Sequence, residues 1–463
     1  MSNFSDFSVW GAMNQIAALL MSLLAANMLK RSIPFLRASL IPTSVLGGGM
    51  LLGIGAIYNL IFKQNMFEAQ FFGGLGTNLL EIITYHCLAL GFIASTFKSS
   101  DAKLSKQRTT EIFNTGVTTV ATYLIQAVVG FSITIICSFI LEGFFPAAGV
   151  LLPFGFGQGT GQALNYGNIY EMDYGFEGGR SFGLVIAALG FISASIGGVI
   201  HLNILKKRGL IKTAAKRAEG TLHSEEIQAY NEIPMNGSMD KMTVQIAIVC
   251  FAYFLTYLLM MLLAKLVPGM TSVIFGFNFL LGVLVATLMR TILKKLNDMK
   301  LIKRRYTNNF LMTRVSNFFF DLMVVAGIAA IRLSVLEQYW GIMLILGLAG
   351  AFTTYFYLRL ATKPLIKDYP EEQFLAMYGM LTGTASTGII LLREMDDEFK
   401  TPAADNLVYQ NFPAIVFGFP IMLLATLAPQ KPYLTLILLT LFFIAMNIIL
   451  FRSFIFKKKS AKK

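Results

Sequence analysis

Long apolar runs dominate the chain, and short polar stretches separate them. A helix needs about 20 mostly apolar residues to cross a bilayer, and runs this long and continuous are too long for barrel strands. We therefore predict eleven spans, at residues 8–29, 39–61, 74–97, 113–140, 182–204, 243–266, 269–290, 308–331, 338–361, 403–428 and 433–456.

Basic residues are concentrated in alternate connections between these spans. Lys and Arg collect in loops 30–37, 98–108, 206–217, 294–305 and 359–367 and in the C-terminal tail. Because cytoplasmic loops carry the excess of Lys and Arg, we predict a multi-pass protein of the cell (inner) membrane with its N-terminus outside and its C-terminus in the cytoplasm. This topology explains the net charge of +13. We expect no nucleic-acid partner, since each basic cluster adjoins a span.

Two moderately apolar segments, 146–166 and 374–393, break this alternation if they are counted as spans. Both are rich in Gly and Thr, and the charge pattern places both flanks of each segment on one side of the membrane. We therefore predict two re-entrant hairpins. Hairpin one (146–166) enters from outside, and hairpin two (374–393) enters from the cytoplasm.

The elements then repeat in opposite orientation. Residues 1–204 hold spans 1–4, hairpin one and span 5, and residues 243–428 hold spans 6–9, hairpin two and span 10. A polar cytoplasmic linker at 205–242 joins the halves, and residues 429–463 add one extra transmembrane helix with a basic tail. The predicted fold is an all-α polytopic membrane protein of two inverted five-helix repeats, an architecture typical of secondary transporters.

The hairpins are the predicted binding elements. Glycines at four-residue spacing in a membrane helix often mark close packing, but the string GFGQGTG at 155–161 would make a poor helix. Free helix N-termini in such hairpins suit a carboxylate, and unwound backbone carbonyls suit sodium. The candidate substrate-binding residues are Gly157, Gln158, Gly159, Thr160 and Gly161 in hairpin one, and Thr382, Gly383, Thr384, Ser386, Thr387 and Gly388 in hairpin two.

Carboxylates inside spans are functional candidates by default. Asp321 lies near the middle of span 8 and Glu81 lies in span 3, so both are ion-coupling candidates. A salt bridge between Asp321 and Arg314 and an interfacial position for Glu81 are the alternative interpretations. For His86 in span 3, a packing histidine is favoured over a proton carrier.

Several strings resemble the bacterial sodium/glutamate symporter family. They are LIPTSVLGGGMLLGI in span 2, GFGQGTGQAL in hairpin one, SFGLVIAALGFISASIGG in span 5, and MYGMLTGTASTGIILL at the place of that family's second Gly-rich hairpin. The resemblance covers about residues 8–428 in element order. It implies a homodimer, a transport domain that carries both hairpins and moves against a scaffold, and sodium-coupled uptake of an acidic amino acid. The family's hairpin residues carry over to Gly157, Gly159, Thr160 and Gly161, and to Gly383, Thr384 and Gly388.

Gln158 stands where this family commonly has His in the motif GGHGTG. The resemblance implies sodium-coupled symport of glutamate or a related anionic amino acid, which is our prediction. The departure at Gln158 leaves the substrate open, so a proton-coupled or an exchange transporter for a dicarboxylate or other organic anion is kept as the alternative. Arg393 and Arg180 are the candidate partners for a second carboxylate. No cofactor is expected beyond sodium as co-substrate, and no enzyme is expected, since no nucleophile has a convincing base.

Overall fold

A computed structural model gives the fold for residues 4–98, 106–210, 232, 239–302, 304–396 and 400–455. Most of the predicted linker at 205–242 and the basic tail after residue 455 lie outside these described residues. The helices are α1 (Phe7–Ser32), α2 (Pro34–Ala38), α3 (Thr43–Phe62), α4 (Asn78–Thr96), α5 (Lys106–Ile140), α6 (Leu151–Gln158), α7 (Thr160–Tyr174), α8 (Gly179–Lys207), α9 (Lys241–Leu266), α10 (Thr271–Gly276), α11 (Asn278–Asp298), α12 (Asn309–Ala329), α13 (Leu333–Leu365), α14 (Pro370–Thr382), α15 (Ala385–Arg393), α16 (Ala403–Tyr409), α17 (Asn411–Leu427), α18 (Pro432–Leu450) and α19 (Arg452–Ile455).

The predicted spans are present as helices. Within the described ranges, nine helices are long and apolar enough to cross a membrane, and eleven spans result if each of two bent pairs counts as one. All eleven lie at the predicted positions, which confirms an all-α, multi-pass membrane protein. The bent pairs were predicted as single continuous spans. Pro268–Gly276 and Asn278–Asp298 meet at 75°, and Ala403–Tyr409 and Pro413–Leu427 meet at 52°.

The chain divides into two compact units. Unit one comprises Met1–Leu20, Phe67–Lys103 and Thr213–Ala326, and unit two comprises Met21–Met66, Leu104–Lys212 and Gly327–Lys463. Each unit therefore takes segments from both predicted halves, and both hairpins belong to unit two.

Unit one packs α4 against α9, α11 and α12. Its buried apolar core comprises Ile93, Ala94, Phe97, Val249, Ala252, Ala286, Met312 and Val315. The Ser316 hydroxyl donates to the Gly91 carbonyl at 2.9 Å. At the end of α4, the Arg290 guanidinium donates to the carbonyls of Thr96 and Lys98 at 2.9 and 3.0 Å. A cation is favourable there, because the last carbonyls of a helix carry negative partial charge.

Each hairpin of unit two consists of two short helices, α6 with α7 and α14 with α15. Glycine permits very close approach at several places in unit two, and two of them shape the hairpins. A Cβ atom at Gly149, in the 3₁₀ turn before α6, would lie 1.9 Å from the Gly130 carbonyl of α5, and a Cβ atom at Gly379 would lie 2.7 Å from Gly388 Cα. Any side chain at these positions would push backbone against backbone. Residues with small side chains therefore hold hairpin one against α5 and fold α14 against α15.

Three tyrosines on one face of α7 connect hairpin one to α17. The hydroxyls of Tyr166, Tyr170 and Tyr174 donate to the carbonyls of Met422, Ala425 and Thr426 at 3.0, 2.7 and 3.0 Å. Ala425 and Thr426 lie in the last turn of α17, where carbonyls have no intrahelical donor. These bonds therefore satisfy a helix end and fix hairpin one at the same time.

The extra C-terminal helix also packs within unit two. The Tyr357 hydroxyl of α13 donates to Asn447 Oδ1 of α18 at 2.9 Å. The Arg452 guanidinium lies 5.1 Å from the ring centroid of Phe113 on α5. Polar pairs between membrane helices are favourable because lipid offers no alternative partner, so α18 is a structural part of this unit.

Candidate substrate site at the hairpin tips

The tips of the two hairpins meet inside unit two. Hairpin one turns at Gly159, between α6 and α7, and hairpin two turns at Gly383 and Thr384, between α14 and α15. A Cβ atom at Gly159 would lie 3.4 Å from Thr384 Cγ2 and 3.6 Å from the Gly383 carbonyl oxygen. The two glycine-rich strings, which are more than 200 residues apart in the sequence, thus form one locus.

Glycine is required at the tip of hairpin one by backbone geometry. Gly159 has φ 82° and ψ −172°, a combination that essentially only glycine adopts. This single residue ends α6 and starts α7. A Cβ atom at the neighbouring Gly157 would lie 2.2 Å from the ring of Tyr123, so that position has no room for a side chain either.

Both tips present helix N-termini. The first intrahelical donors are the Ala163 amide, to the Gly159 carbonyl, and the Gly388 amide, to the Thr384 carbonyl. The amides of residues 160–162 and 385–387 precede them and have no intrahelical acceptor, and neither preceding residue caps its helix with a side chain. Such N-termini carry positive partial charge and favour anions. The tips can therefore bind a carboxylate.

A buried hydroxyl at the first position of α7 also points to a ligand. Thr160 is 0% exposed, and its Oγ1 has no hydrogen-bond partner within the part of the chain that the structure describes. The same is true of Gln162 Nε2, two residues further on. A buried polar atom without a partner costs about 1–3 kcal/mol, and a polar ligand at the tips would remove that cost.

Three residues outside the hairpins hold the tips together, and the sequence analysis did not single them out. Gln126 of α5 donates through Nε2 to the Leu381 carbonyl at 2.9 Å and to Thr354 Oγ1 of α13 at 2.8 Å. Tyr123 donates its hydroxyl to the Gly157 carbonyl at 3.2 Å. Gln126 therefore connects two spans to the tip of hairpin two.

The sequence did contain a signal for this face of α5. Polar side chains recur in an otherwise apolar span at the three- and four-residue spacing of one helix face. Gln126 is preceded on α5 by four threonines that are fully or almost fully buried, namely Thr115, Thr118, Thr119 and Thr122. A polar stripe buried in a membrane helix indicates a face that packs on protein rather than lipid.

The predicted residues of hairpin two occupy different surroundings. Thr382 is buried and donates to the Tyr378 carbonyl at 2.6 Å, and the hydroxyls of Thr384 and Thr387 lie 3.4 Å apart. Gly388 packs against α14, whereas the Ser386 side chain is exposed. In hairpin one, Gly157 and Gly161 are buried and Gln158 is half-buried.

The two ion-coupling candidates lie in unit one. Glu81 occupies the first turn of α4, where its Oε1 accepts from the Thr77 hydroxyl at 3.3 Å. A carboxylate at a helix N-terminus is stabilised by the helix dipole. Asp321 is exposed on α12. His86 Nδ1 lies 2.7 Å from the Tyr253 hydroxyl of α9, a contact that fits a packing histidine.

The two candidate arginines are not beside the tips. Each lies further along a helix that reaches a tip. Arg180 is in the first turn of α8, ten residues before Gly190, whose Cβ atom would lie 2.6 Å from the Thr382 carbonyl. Arg393 is in the last turn of α15, eight residues after its first residue. At 1.5 Å per helical residue, these separations are about 15 and 12 Å. The contacts described above between the tips and their neighbours in unit two involve neutral groups.

Charged pairs connect the base of hairpin one to Arg332, which immediately precedes α13, and the base of hairpin two to α13 itself. Near the end of hairpin one's second helix, both carboxylate oxygens of Glu171 accept from Arg332, each at 2.8 Å. At the start of hairpin two's first helix, Glu371 Oε2 accepts from Arg359 at 2.5 Å. It also accepts from His201 Nε2 at 3.0 Å, and His201 Nδ1 lies 2.9 Å from the Tyr355 hydroxyl.

The pKa of Glu371 reflects this environment. The hydrogen bond from His201, together with the Arg359 guanidinium, outweighs burial and lowers the pKa of Glu371 from 4.5 to about 2. Its neighbour Glu372 is different, because burial raises the pKa of that carboxyl. Of these two neighbouring carboxyls, Glu371 is the one whose partners favour the charged form.

We expect Glu371→Gln to lower the free energy of unfolding by about 1–2 kcal/mol, because the bonds to Arg359 and His201 lose their charge and the site is partly exposed. A carboxyl with a lowered pKa contributes its full stabilisation above pH 4.5, and that contribution is lost as the pH falls toward 2. The difference from wild type should therefore not shrink between pH 8 and pH 5. Thermal unfolding in detergent measures it, with Glu372→Gln as the matched control. A difference that vanishes by pH 5 would contradict the assignment.

The site is defined by its own geometry: two helix N-termini, a buried hydroxyl and a glutamine that ties the tips to two spans. A comparison with protein-family models and with curated protein sequences finds no match to this chain.

Proposed function

We propose that this protein is a secondary active transporter that couples sodium entry to the uptake of an anionic amino acid, with glutamate as the first substrate to test. The observation that carries the proposal is the meeting of two hairpin tips in one unit, each with an uncapped helix N-terminus. Helix N-termini at broken elements near the bilayer midplane are how many transporters hold a substrate carboxylate.

The neutral surroundings of the tips support the proposed coupling of substrate uptake to sodium entry. A carboxylate removed from water needs a compensating charge, because an unpaired buried charge costs several kcal/mol. Arg180 and Arg393 lie about a dozen ångströms or more away along their helices. Helix dipoles and a co-transported cation are then the compensation, and each charge moved inward gains roughly 2.3 kcal/mol per 100 mV.

The proposal includes a topology. The N-terminus lies outside the cell membrane and the C-terminus in the cytoplasm, residues 1–204 and 243–428 form inverted repeats, and the protein is a homodimer. The two hairpins then enter from opposite faces and act as alternate gates. The equivalent spans 4 and 9 of the repeats contain α5 and α13, and their contact between Gln126 and Thr354 supports this equivalence.

Uptake of radiolabelled glutamate into proteoliposomes tests the proposal. We expect accumulation with an inward sodium gradient and none when choline replaces sodium. Competition by unlabelled aspartate and by C4 dicarboxylates ranks the substrates. Passive equilibration without dependence on either gradient would contradict a coupled transporter.

A proton-coupled or exchange transporter of a dicarboxylate is the second candidate. The observation that favours it is His201, a buried histidine between Tyr355 and Glu371 at the base of hairpin two. The same vesicles distinguish the candidates. Accumulation driven by a proton gradient without sodium, and lost in His201→Gln, supports this alternative over the first.

A further inference from the structure

Two buried amide oxygens without hydrogen-bond donors among the described residues lie at the bend between α16 and α17, beside hairpin two. Asn406 is 0% exposed and Gln410 is 2% exposed. They are four residues apart, so their side chains lie on one face of the helix. Within the described ranges of the chain, neither Asn406 Oδ1 nor Gln410 Oε1 has a hydrogen-bond donor. Two buried acceptors on adjacent turns are thus left unsatisfied.

The hydrogen bonds of Asn406 fix which way its amide points. The Tyr369 hydroxyl donates its proton to Glu111 Oε2 at 2.8 Å, so it can only accept from Asn406 Nδ2, at 3.1 Å. Nδ2 also donates to Gln373 Oε1 at 2.7 Å. The nitrogen must face these two acceptors, and Oδ1 points away from them.

The amide of Gln410 is fixed in the same way. Its Nε2 lies 3.4 Å from the Leu407 carbonyl, which can only accept, and 3.0 Å from Asn411 Oδ1. The Met380 sulfur, a weak acceptor, lies 3.4 Å from the same nitrogen. The Leu407 carbonyl and the Met380 sulfur have no hydrogen to donate, so turning the amide over would set its oxygen against two acceptors. Oε1 therefore faces the opposite side.

A backbone carbonyl oxygen in the same turn also lacks an intrahelical donor. Pro413 follows the bend and has no N–H group, so the carbonyl of Tyr409 lacks the donor that a regular helix would supply four residues later. A proline-bent helix commonly exposes such a carbonyl at the bend. The turn therefore offers a main-chain oxygen in addition to the two side-chain oxygens.

We propose that Asn406 Oδ1, Gln410 Oε1 and the Tyr409 carbonyl oxygen bind a monovalent cation, with sodium as the physiological ion. All three atoms are acceptors, and hard cations take oxygen ligands. All three are also neutral, whereas divalent ions in proteins draw on carboxylates. Neutral ligands leave the charge of the bound ion uncompensated, and the free-energy cost of that charge is smaller for a monovalent ion than for a divalent one.

The position connects this ion to the hairpin tips. Met380, which contacts Gln410, lies three residues before Gly383, or about 4–5 Å along α14. A cation there would help to compensate a carboxylate at the tips. The coupling role rests on the proposed function, whereas the binding of the ion does not.

Sodium-dependent thermal unfolding of the purified protein in detergent tests the site. Choline chloride keeps the ionic strength constant, and potassium and lithium chloride report selectivity. The unfolding midpoint of wild type should rise with sodium, because a ligand that binds only the folded state stabilises it. Gln410→Met keeps the side-chain length and removes the oxygen, so the half-effect sodium concentration should rise by about tenfold or more.

Two further variants keep the test decisive. Gln245→Met is the matched control, because that buried glutamine belongs to unit one and its amide is bonded to protein groups, through Nε2 to the carbonyls of Lys241 and Tyr306 and through Oε1 to the Asn308 amide. It should lower the midpoint without moving the sodium titration. Gln410→Glu keeps an oxygen and adds a negative charge, so its half-effect concentration should fall below that of wild type.

The outcomes separate this site from the transport proposal. A wild-type midpoint that ignores sodium, or equal sodium titrations for wild type and Gln410→Met, would overturn the cation site. Sodium stabilisation without sodium-driven glutamate uptake would keep the site and reject the proposed function. Sodium-driven uptake with an unchanged sodium dependence in Gln410→Met would keep the function and reject these ligands.

Discussion

Gly159→Ala is expected to reduce glutamate uptake by about 100-fold while the protein remains folded, since a displacement of about 1 Å in a binding site can cost that much. The cause is the backbone, because Gly159 has φ 82° and ψ −172°, and a side chain there costs about 1–3 kcal/mol of strain. Bulk is not the cause, since the new methyl group would lie 3.4 Å from Thr384 Cγ2, an ordinary contact. The chain would relax by rotating the tip and the amides of α7.

Gly175→Ala is the matched control for this prediction. Gly175 ends α7 with φ 72° and ψ 21°, a left-handed conformation that costs other residues only about 1–2 kcal/mol. An added methyl group would meet no described atom within 4 Å. The same substitution at the other end of the same helix should leave uptake close to wild type. Equal losses in both variants would show that the tip conformation has no special role.

Gln126→Met is expected to lower uptake by about tenfold or more with little change in expression. The variant keeps the side-chain length but leaves the Leu381 carbonyl without the donor that Gln126 supplies at 2.9 Å. A buried acceptor without a donor costs about 1–3 kcal/mol, and 1.4 kcal/mol corresponds to a factor of ten. Because this bond connects α5 to the tip of hairpin two, its loss acts on the site. Initial uptake rates at several glutamate concentrations measure the effect.

Thr354→Val is the control that separates the two bonds of Gln126. It removes the acceptor on α13 at 2.8 Å and leaves the bond to the Leu381 carbonyl in place. We expect a smaller loss of uptake than in Gln126→Met. If Thr354→Val were the more damaging variant, the contact between the spans, and not the tie to the tip, would be the important one.

The spans could be predicted because hydropathy is a sum over residues that adjoin in the sequence, and a bilayer imposes a fixed minimum length on an apolar helix. The tips could be predicted for a similar reason. The string at 155–161 contains too much glycine for a stable helix, and a local shortage of helix stability requires no knowledge of the partners. Bends were harder to predict. The 52° bend adjoins Pro413, whereas the 75° bend falls between Gly276 and Asn278, where the sequence has no proline.

The sequence by itself determined the all-α membrane class, the positions of the spans and the two glycine-rich breaks, since each depends on residues that are neighbours along the chain. Only the tertiary structure decided that the two breaks meet, that Gln126 ties α5 to a carbonyl 255 residues away, and that Glu171 and Glu371 pair with arginines immediately before and within α13. It also decided that two amide oxygens at Asn406 and Gln410 face away from every donor described around them. These features depend on which helix faces pack together, and packing is decided by shape and polar satisfaction between residues that the sequence separates.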